Sequence, residues 1–336
     1  MANNNLANKA ILLLSPSFFG YEYHIANKIK EMGGDVVYIN DDPSNLFLFI
    51  KGVLEKLHIG TDWMIHSFED SVKKKLRGRR FDYIIVICGW AITSRLSGLL
   101  RQNHLSGVGK MLLYYWDSIS LLGDDTSRWQ YFDRIFTFDK KDYADYSSDL
   151  SFLPLFYIDT YCKSKAACNK DIDLFTVGSF KFNRYYEIET IRQKNPNIRI
   201  YSYMYESKWL IRFHKLFRPK YKSINLDNIK YVRISPEDIV NFYNRSYAIL
   251  DIPRTGQNGL TMRTFECLAM EKKIVTTNPH IIGYGFYNSN NIYVMDTNNY
   301  ILPGNEWFER EYVPLPKEVY ERYSISNWLK KILFNE

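Results

Sequence analysis

Unbroken apolar runs separated by segments of helical period dominate this chain. "AILLLSPSF" opens with a continuous apolar run, and Gly20 follows it. In "YEYHIANKIKEMGG", Ile25, Ile29 and Met32 recur at helical spacing until Gly33 and Gly34 end the pattern. "DVVYIN" is a second strand, and a helical stretch runs through Lys73, Lys74 and Lys75. "FDYIIVICGW", "KMLLYYWDS", "FDRIFTFD" and the short "LSFLPLFY" then read as four more strands. Strands that are apolar without alternation are covered on both faces, which predicts a parallel sheet between helical layers. Ligands of such sheets sit at the carboxyl ends of the strands.

The polar, small-residue stretch "DTYCKSKAACNK", residues 159–170, reads as a linker, after which the alternation restarts. "DIDLFTVGSF" is a strand closing in Gly178 and Ser179, followed by the helix "YYEIETIRQKNP" and the strand "IRIYSYMY". The helix "SPEDIVNFYNRS" has Ser235 as N-cap and Pro236 at its first position. "YAILDIP", "KIVTT" and "NIYVMD" are further strands, and "SISNWLKKILF" is an amphipathic terminal helix. The predicted fold is α/β, two doubly wound Rossmann-like domains. Residues 1–158 form the first, 159–170 the linker, 171–315 the second, and 316–336 a helical segment packing back on the first. A length of 336 residues suits two domains of about 150 each.

Composition narrows the function classes. A formal charge of +7 is a mild excess, and with no basic-aromatic RNA-binding motif the chain does not read as a nucleic-acid protein. Cys88 and Cys267 lie in apolar runs and read as core. Cys162 and Cys168 lack a nearby His or CxxC partner, so no zinc site is expected. Neither half carries G-x-G-x-x-G after its first strand, which disfavours a dinucleotide-dependent dehydrogenase. "AILLL" is too short for a signal peptide, and no apolar run approaches the roughly 20 residues that span a bilayer. A cytoplasmic protein is expected. Residues 207–222, "SKWLIRFHKLFRPKYK", form a basic amphipathic segment with two open readings. One is attachment to an anionic membrane surface, here the inner face of the plasma membrane; the other is a solvated helix packing its apolar stripe on its own domain.

The stretch "GQNGLTMRTFECLAMEKKIVTTN" holds the most pointed chemistry. A buried strand feeds a polar loop, and a helix starts near Leu260 or Thr261. Helix N-termini offer free N–H groups and a partial positive charge, suited to phosphate. Arg263 near that end can grip a diphosphate in bidentate fashion. Glu266, one turn later, can accept hydrogen bonds from a ribose diol. An ordinary exposed Arg–Glu pair is the competing reading.

The run "GLTMRTFECLAMEKKIVTTN" resembles the donor-binding segment of GT-B glycosyltransferases, especially the CgeB-like and lipopolysaccharide or capsule enzymes of bacteria. "FFGYE", "YYWDS", "FDRIFTFDKKD", "LPLFY", "DLFTVGS" and "ILDIP" are similar to the same group in the same order, spanning residues 18–278. In the larger retaining group a first glutamate precedes the second in an E-x7-E pattern. Glu266 matches the second, but Asn258 occupies the first position, so retention is not implied.

The resemblance implies a second domain that binds a nucleotide-sugar, with UDP slightly favoured. Glu266 would hold the ribose, and Arg263 with the N–H groups of Thr261 and Met262 would lie near the diphosphate, in the segment that also holds Asn258, Gly259 and Leu260. Gly178 and Ser179 would approach the phosphates, Arg184 would counter their charge, and the base would pack near Tyr203 and Ile234.

GT-B enzymes place the acceptor against the first domain, with the reaction in the cleft between. That implies a glycan or lipid-linked acceptor near Gly20, Tyr21 and Trp116. Inverting transfer needs a base; Asp117, at a strand's carboxyl end, is the first candidate, with Glu22 and His24 behind it. An N-cap role for Asp117 is equally open. No D-x-D stands in a suitable loop, since Asp171–Asp173 precede a strand and the Asp41–Asp42 and Asp124–Asp125 pairs lack neighbours, so no metal or other cofactor is expected. Sugar-nucleotide epimerase and a non-catalytic nucleotide-sugar-binding partner of a glycan assembly complex are the alternative functions.

Overall fold

The continuous apolar runs become the inner strands of two parallel sheets. The computed structural model describes residues 6–41, 62–89, 91–123, 126–162 and 169–334. Asp42, Asp124, Asp125, Cys168 and residues 163–168 of the expected linker lie outside the described residues. The chain divides into one unit of Met1–Pro154 with Ile325–Glu336, and a second of Leu155–Ser324.

In the first unit the order is β1 (Ala10–Ser15), α1 (Tyr21–Glu31), β2 (Asp35–Asn40), α2 (Asp62–Leu76), β3 (Phe81–Ile87), α3 (Ser94–His104), β4 (Leu105–Tyr115), α4 (Ile119–Leu122), β5 (Arg134–Thr137), α5 (Lys140–Asp145) and β6 (Leu150–Phe152). The strands lie in the sequence β2-β1-β3-β4-β5-β6, all parallel. Ile11, Leu12, Leu13 and Leu14 of β1 are fully buried, as continuous apolar strands between two helical layers require. Successive crossovers run one way from β1 and then the other, so the connection reverses between β1 and β3.

The second unit contains α6 (Asp159–Cys162), β7 (Ile172–Ser179), α7 (Phe182–Lys194), β8 (Ile200–Tyr205), α8 (Lys208–Phe217), β9 (Ile229–Lys230), α9 (Pro236–Arg245), β10 (Ser246–Asp251), α10 (Met262–Ala269), β11 (Lys273–Thr276), β12 (Ile292–Val294), α11 (Asn305–Glu309) and α12 (Lys317–Glu321). Its strands lie in the order β12-β11-β10-β7-β8-β9, again all parallel. Here the reversal falls between β7 and β10. Two elements carry no clear sequence signal. β9 is two residues long, pairing Ile229 and Lys230 with Met204 and Tyr205. α3 begins at Ser94 after the N-cap Thr93, whose hydroxyl accepts from the Leu96 amide at 3.1 Å.

The terminal helix α13 (Ile325–Phe334) belongs to the first unit. Ile325, Trp328, Leu329, Ile332 and Leu333 form its buried face at helical spacing. Trp328 meets Tyr114 of β4 edge to face, with ring centres 4.9 Å apart. Trp328→Ala is therefore expected to cost about 3–5 kcal/mol, as for other buried aromatics, read as a lowered denaturation midpoint.

Lys273 opens β11 inside the second unit. Its ammonium donates to the Trp307 carbonyl and lies 4.9 Å from the centre of that indole. Burial, followed by the charges of Arg310 and Lys170, pushes its pKa from 10.5 down to about 8. Between those values the unfolded chain holds a proton that the folded chain has released, so stability rises with pH across that window. Lys273→Met should flatten this rise in urea midpoints measured from pH 8 upward; an identical slope in both proteins would refute the assignment.

Candidate functional site

The reversal between β7 and β10 places two helix starts side by side at the carboxyl edge of the second sheet. β7 ends at Ser179 and α7 begins at Phe182; β10 ends at Asp251 and α10 begins at Met262. Neither helix receives a side-chain cap from its N-cap residue, Lys181 or Thr261, and neither has an acidic residue in its first turn. Free N–H groups and the positive end of each helix dipole are therefore left uncompensated by the helix itself.

Asp251 explains why Thr261 does not cap its helix. The Thr261 hydroxyl lies 2.9 Å from both carboxylate oxygens of Asp251, and Thr264 donates its hydroxyl at 3.1 Å. Arg263 completes the cluster, with Nη1 2.8 Å from Asp251 Oδ1 and Nη2 donating to the Val177 carbonyl of β7. The pair is deep, with side-chain exposures of 11% for Arg263 and 2% for Asp251. Burial is the largest influence and works against the Arg263 charge, but Asp251 together with Tyr243, Glu266 and Cys267 outweighs it, and the pKa lies above the ordinary value. One carboxylate thus ties the end of β10 to the first turn of α10, and through Arg263 to the neighbouring strand.

Arg184 enters from the other helix. Its Nε donates to the Ile252 carbonyl at 3.0 Å and its Nη1 to the Ser179 carbonyl at 3.2 Å. Both guanidinium groups close on Gly178, where a Cβ would stand 3.2 Å from Arg184 Nη1 and 3.3 Å from Arg263 Nη2. The absent side chain is what lets two cations approach one point of the backbone. Burial and then the adjacent Arg263 lower the Arg184 pKa to about 10, so it remains charged at neutral pH. Beside it is a depression of about 240 Å3 lined by Lys181, Phe182, Asn183, Arg184, Glu187, Pro253, Arg254 and Thr255. Three cations against one carboxylate suit this surface to an anion.

The other second-unit residues are placed as follows. Glu266 is buried one turn beyond Arg263, and its Oε2 accepts the Tyr243 hydroxyl at 2.7 Å. The salt bridge of Arg263 runs to Asp251, so the exposed Arg263–Glu266 pair is not what forms. Buried Gly259 and Leu260 precede α10, and Asn278, after β11, donates its amide to the carbonyls of Asn258 and Gly259 at 3.1 and 3.3 Å. Asn258 Oδ1 lies 3.1 Å from His280 Nε2. Tyr203, on β8, donates to the Val232 carbonyl at 2.9 Å, in the same loop as buried Ile234. Met262 is buried at the first position of α10. Asp251 and Asn278 are not among the residues predicted from the sequence. Both stand at or just beyond strand ends, a position that is their one sequence signal.

In the first unit, the loop after β1 and the end of β4 come together. Gly20, at φ +83°, is the N-cap of α1 in a conformation that favours glycine. Phe18 packs against Trp116 and Tyr21, with ring centres 5.6 and 6.3 Å apart. Asp117 follows Trp116 and is half-buried. Glu22 is 1% exposed, and its two oxygens accept from the Ser17 hydroxyl and the Phe18 amide, both at 3.0 Å. This carboxylate is turned into its own loop as a brace. His24 sits half-buried on α1. Sequence reading misses Arg128, which is buried and donates to the carbonyls of Cys88, Gly89 and Ile92 at 2.7, 2.6 and 2.9 Å. Among the described residues, no group of three or more His, Cys, Asp or Glu is placed to hold a metal ion.

No protein-family model and no curated protein sequence matches the chain. Solved structures do. A glycosyltransferase from Rickettsia africae matches with a TM-score of 0.57 at 14% identity, over 98% of this chain and 100% of that one. An alpha-glucosyltransferase in complex with UDP and a 13-mer DNA matches with a TM-score of 0.55 at 13% identity, over 98% of each chain. A protein assigned as a UDP-N-acetylglucosamine 2-epimerase from Listeria monocytogenes matches with a TM-score of 0.50 at 12% identity, over 98% of this chain and 97% of that one. At these identities the likeness is one of fold. Two six-stranded parallel sheets with flanking helices, matched end to end by such proteins, give the chain the GT-B fold.

Removing Asp251 strands a buried guanidinium. Asp251→Ala should destabilise the protein by about 3–5 kcal/mol, the usual cost of breaking one side of a buried pair, with much of it restored in Asp251→Ala/Arg263→Met. Urea denaturation of both variants checks this; a double variant no more stable than the single one would show that the pair is not the source.

Proposed function

We propose that this protein is a glycosyltransferase whose second unit binds a nucleoside-diphosphate sugar at the β7–β10 reversal. The observation that carries the reading is the convergence of two helix starts without side-chain caps and two guanidinium groups on Gly178. N–H groups at the two helix starts and the charge of Arg184 would hold the diphosphate and stabilise it as it leaves, the role that bound metal fills elsewhere. Arg263, committed to Asp251 and to the Val177 carbonyl, supplies field and position more than direct grip. Glu266, whose Oε2 is anchored by the Tyr243 hydroxyl, would accept from the ribose diol. Tyr203 and Ile234 would flank the base.

Asp117 is the proposed base, taking the acceptor hydroxyl proton in an inverting transfer, with the aromatic group of Phe18, Tyr21 and Trp116 beside it as the sugar-facing surface of the first unit. A bacterial surface glycan, in the lipopolysaccharide, O-antigen or capsule class, is the proposed acceptor, with UDP the favoured nucleotide. Support for the nucleotide comes from the alpha-glucosyltransferase neighbour seen with UDP. Support for the acceptor class comes from the motif resemblance. The epimerase neighbour keeps a second reading in view, inversion at a sugar carbon of the donor with no transfer.

A thermal-shift panel of UDP-, GDP-, dTDP- and CMP-sugars tests the donor site. A ligand at 100 times its Kd stabilises by about 2.7 kcal/mol, a clear shift. Arg184→Ala, at a half-buried position, should weaken the responding ligand at least about tenfold, the loss of one charged hydrogen bond, while Glu22→Gln leaves affinity unchanged. No shift with any of the four would overturn the reading. Incubating the bound sugar nucleotide alone and following it by NMR separates the activities, since epimerisation proceeds without an acceptor.

A further inference from the structure

The helix between β8 and β9 presents its aromatic face outward. α8 is held to the second unit by Ile211, which is fully buried. His214 adds to this with its ring 4.8 Å from Tyr221, and Lys215 Nζ donates to the Ile224 carbonyl at 2.8 Å. At 100° per residue, Trp209, Phe213, Leu216 and Phe217 fall within an arc of about 100° on another side. Leu216 and Phe217 are 73% and 63% exposed, and Trp209 62%. The rings run together, Trp209 stacked on Phe213 with centres 5.8 Å apart and Phe213 tilted against Phe217 at 4.6 Å. Val232, 73% exposed, follows Tyr231, and Lys208 lies 5.9 Å from the centre of the Tyr231 ring.

Charge decides what such a face can meet. Lys208, Arg212, Lys215, Arg218, Lys220 and Lys222 accompany it, and the sequence holds no Asp or Glu between Glu206 and Asp227. The helical cations fall together on one flank of the apolar arc, between it and the buried side; Lys215 is held by the Ile224 carbonyl, while the exposed Lys208 and Arg212 can reach outward as the rings point away from the fold. Bulky apolar side chains bordered by cations, on a helix with no carboxylate, match an interface that is apolar below and anionic above. A soluble acidic partner would satisfy the cations and leave the exposed Leu216 and Phe217 unexplained.

We infer that α8 and the turn after it, residues 208–222, form a membrane-docking face that lays Phe213, Leu216 and Phe217 into the headgroup boundary of an anionic lipid surface. The inference stands apart from the donor site, and no residue of that site takes part in it. Attachment of this kind keeps an enzyme at the surface that holds a lipid-linked substrate.

Co-sedimentation with vesicles tests it. The full chain should sediment with phosphatidylcholine vesicles containing phosphatidylglycerol and not with phosphatidylcholine alone, and salt should weaken the binding. Leu216→Ser/Phe217→Ser and Lys208→Glu/Arg212→Glu should each reduce the partition at least about tenfold, given the cost of losing buried area or reversing charge at such a surface. Because these side chains are exposed, melting temperatures should match the parent. Failure to sediment with the anionic vesicles overturns the inference, as does equal sedimentation with neutral ones or unaltered binding by either variant. So does a dimer that Leu216→Ser/Phe217→Ser converts to monomer, which would give the face to a second copy of the chain.

Discussion

A single buried carboxylate organises the ligand-facing edge of the second unit. Asp251 accepts from Thr261, Arg263 and Thr264, which joins the end of a central strand to the start of the following helix. Drawing Thr261 into that cluster removes the hydroxyl that would otherwise cap α10. The interaction that stabilises the edge therefore also leaves backbone donors open there. Arg263 carries the tie across to β7, next to the glycine where Arg184 arrives from α7. Positive charge concentrates at the reversal of the sheet because the anion that holds the structure is itself inside it.

The first unit uses the opposite sign for a comparable task. Arg128 is buried beneath the loop after β3 and gathers the carbonyls of Cys88, Gly89 and Ile92. Cys88 and Gly89 both have positive φ, 56° and 68°, so the backbone there turns its carbonyl oxygens inward. A guanidinium with several donors suits such a cluster better than an ammonium would. Each unit thus fixes a loop at its own reversal point with one buried charge.

How far the sequence reveals this depends on what periodicity encodes. β1, β3, β4 and β10 are legible because strands covered on both faces are apolar throughout, and α10 is legible because a polar, glycine-containing loop separates it from its strand. Arg263 and Glu266 stand out as charges in a segment otherwise built for burial; Glu266 is buried, and the Arg263 side chain keeps only 11% of its surface exposed. Their partners are not legible. Asp251 reads as one more strand-end aspartate, because a pattern of apolar positions says which face is inside and not which charge a buried arginine will choose. Glu22 is legible only in part for the same reason: its place after a strand shows in the sequence, and the hydrogen bonds it takes from Ser17 and Phe18 do not. β9, two residues long, offers no period to detect.

The membership of α13 in the first unit bears on how the protein is made. A chain emerging from the ribosome presents β1 to β6 first, yet the indole that abuts Tyr114 is carried by residue 328. The slot beside β4 stays open while the whole of the second unit is synthesised, and the nascent first unit must wait with that tyrosine uncovered. Quality control acting during translation would meet it in that half-finished state, and truncation before residue 325 would make the state permanent.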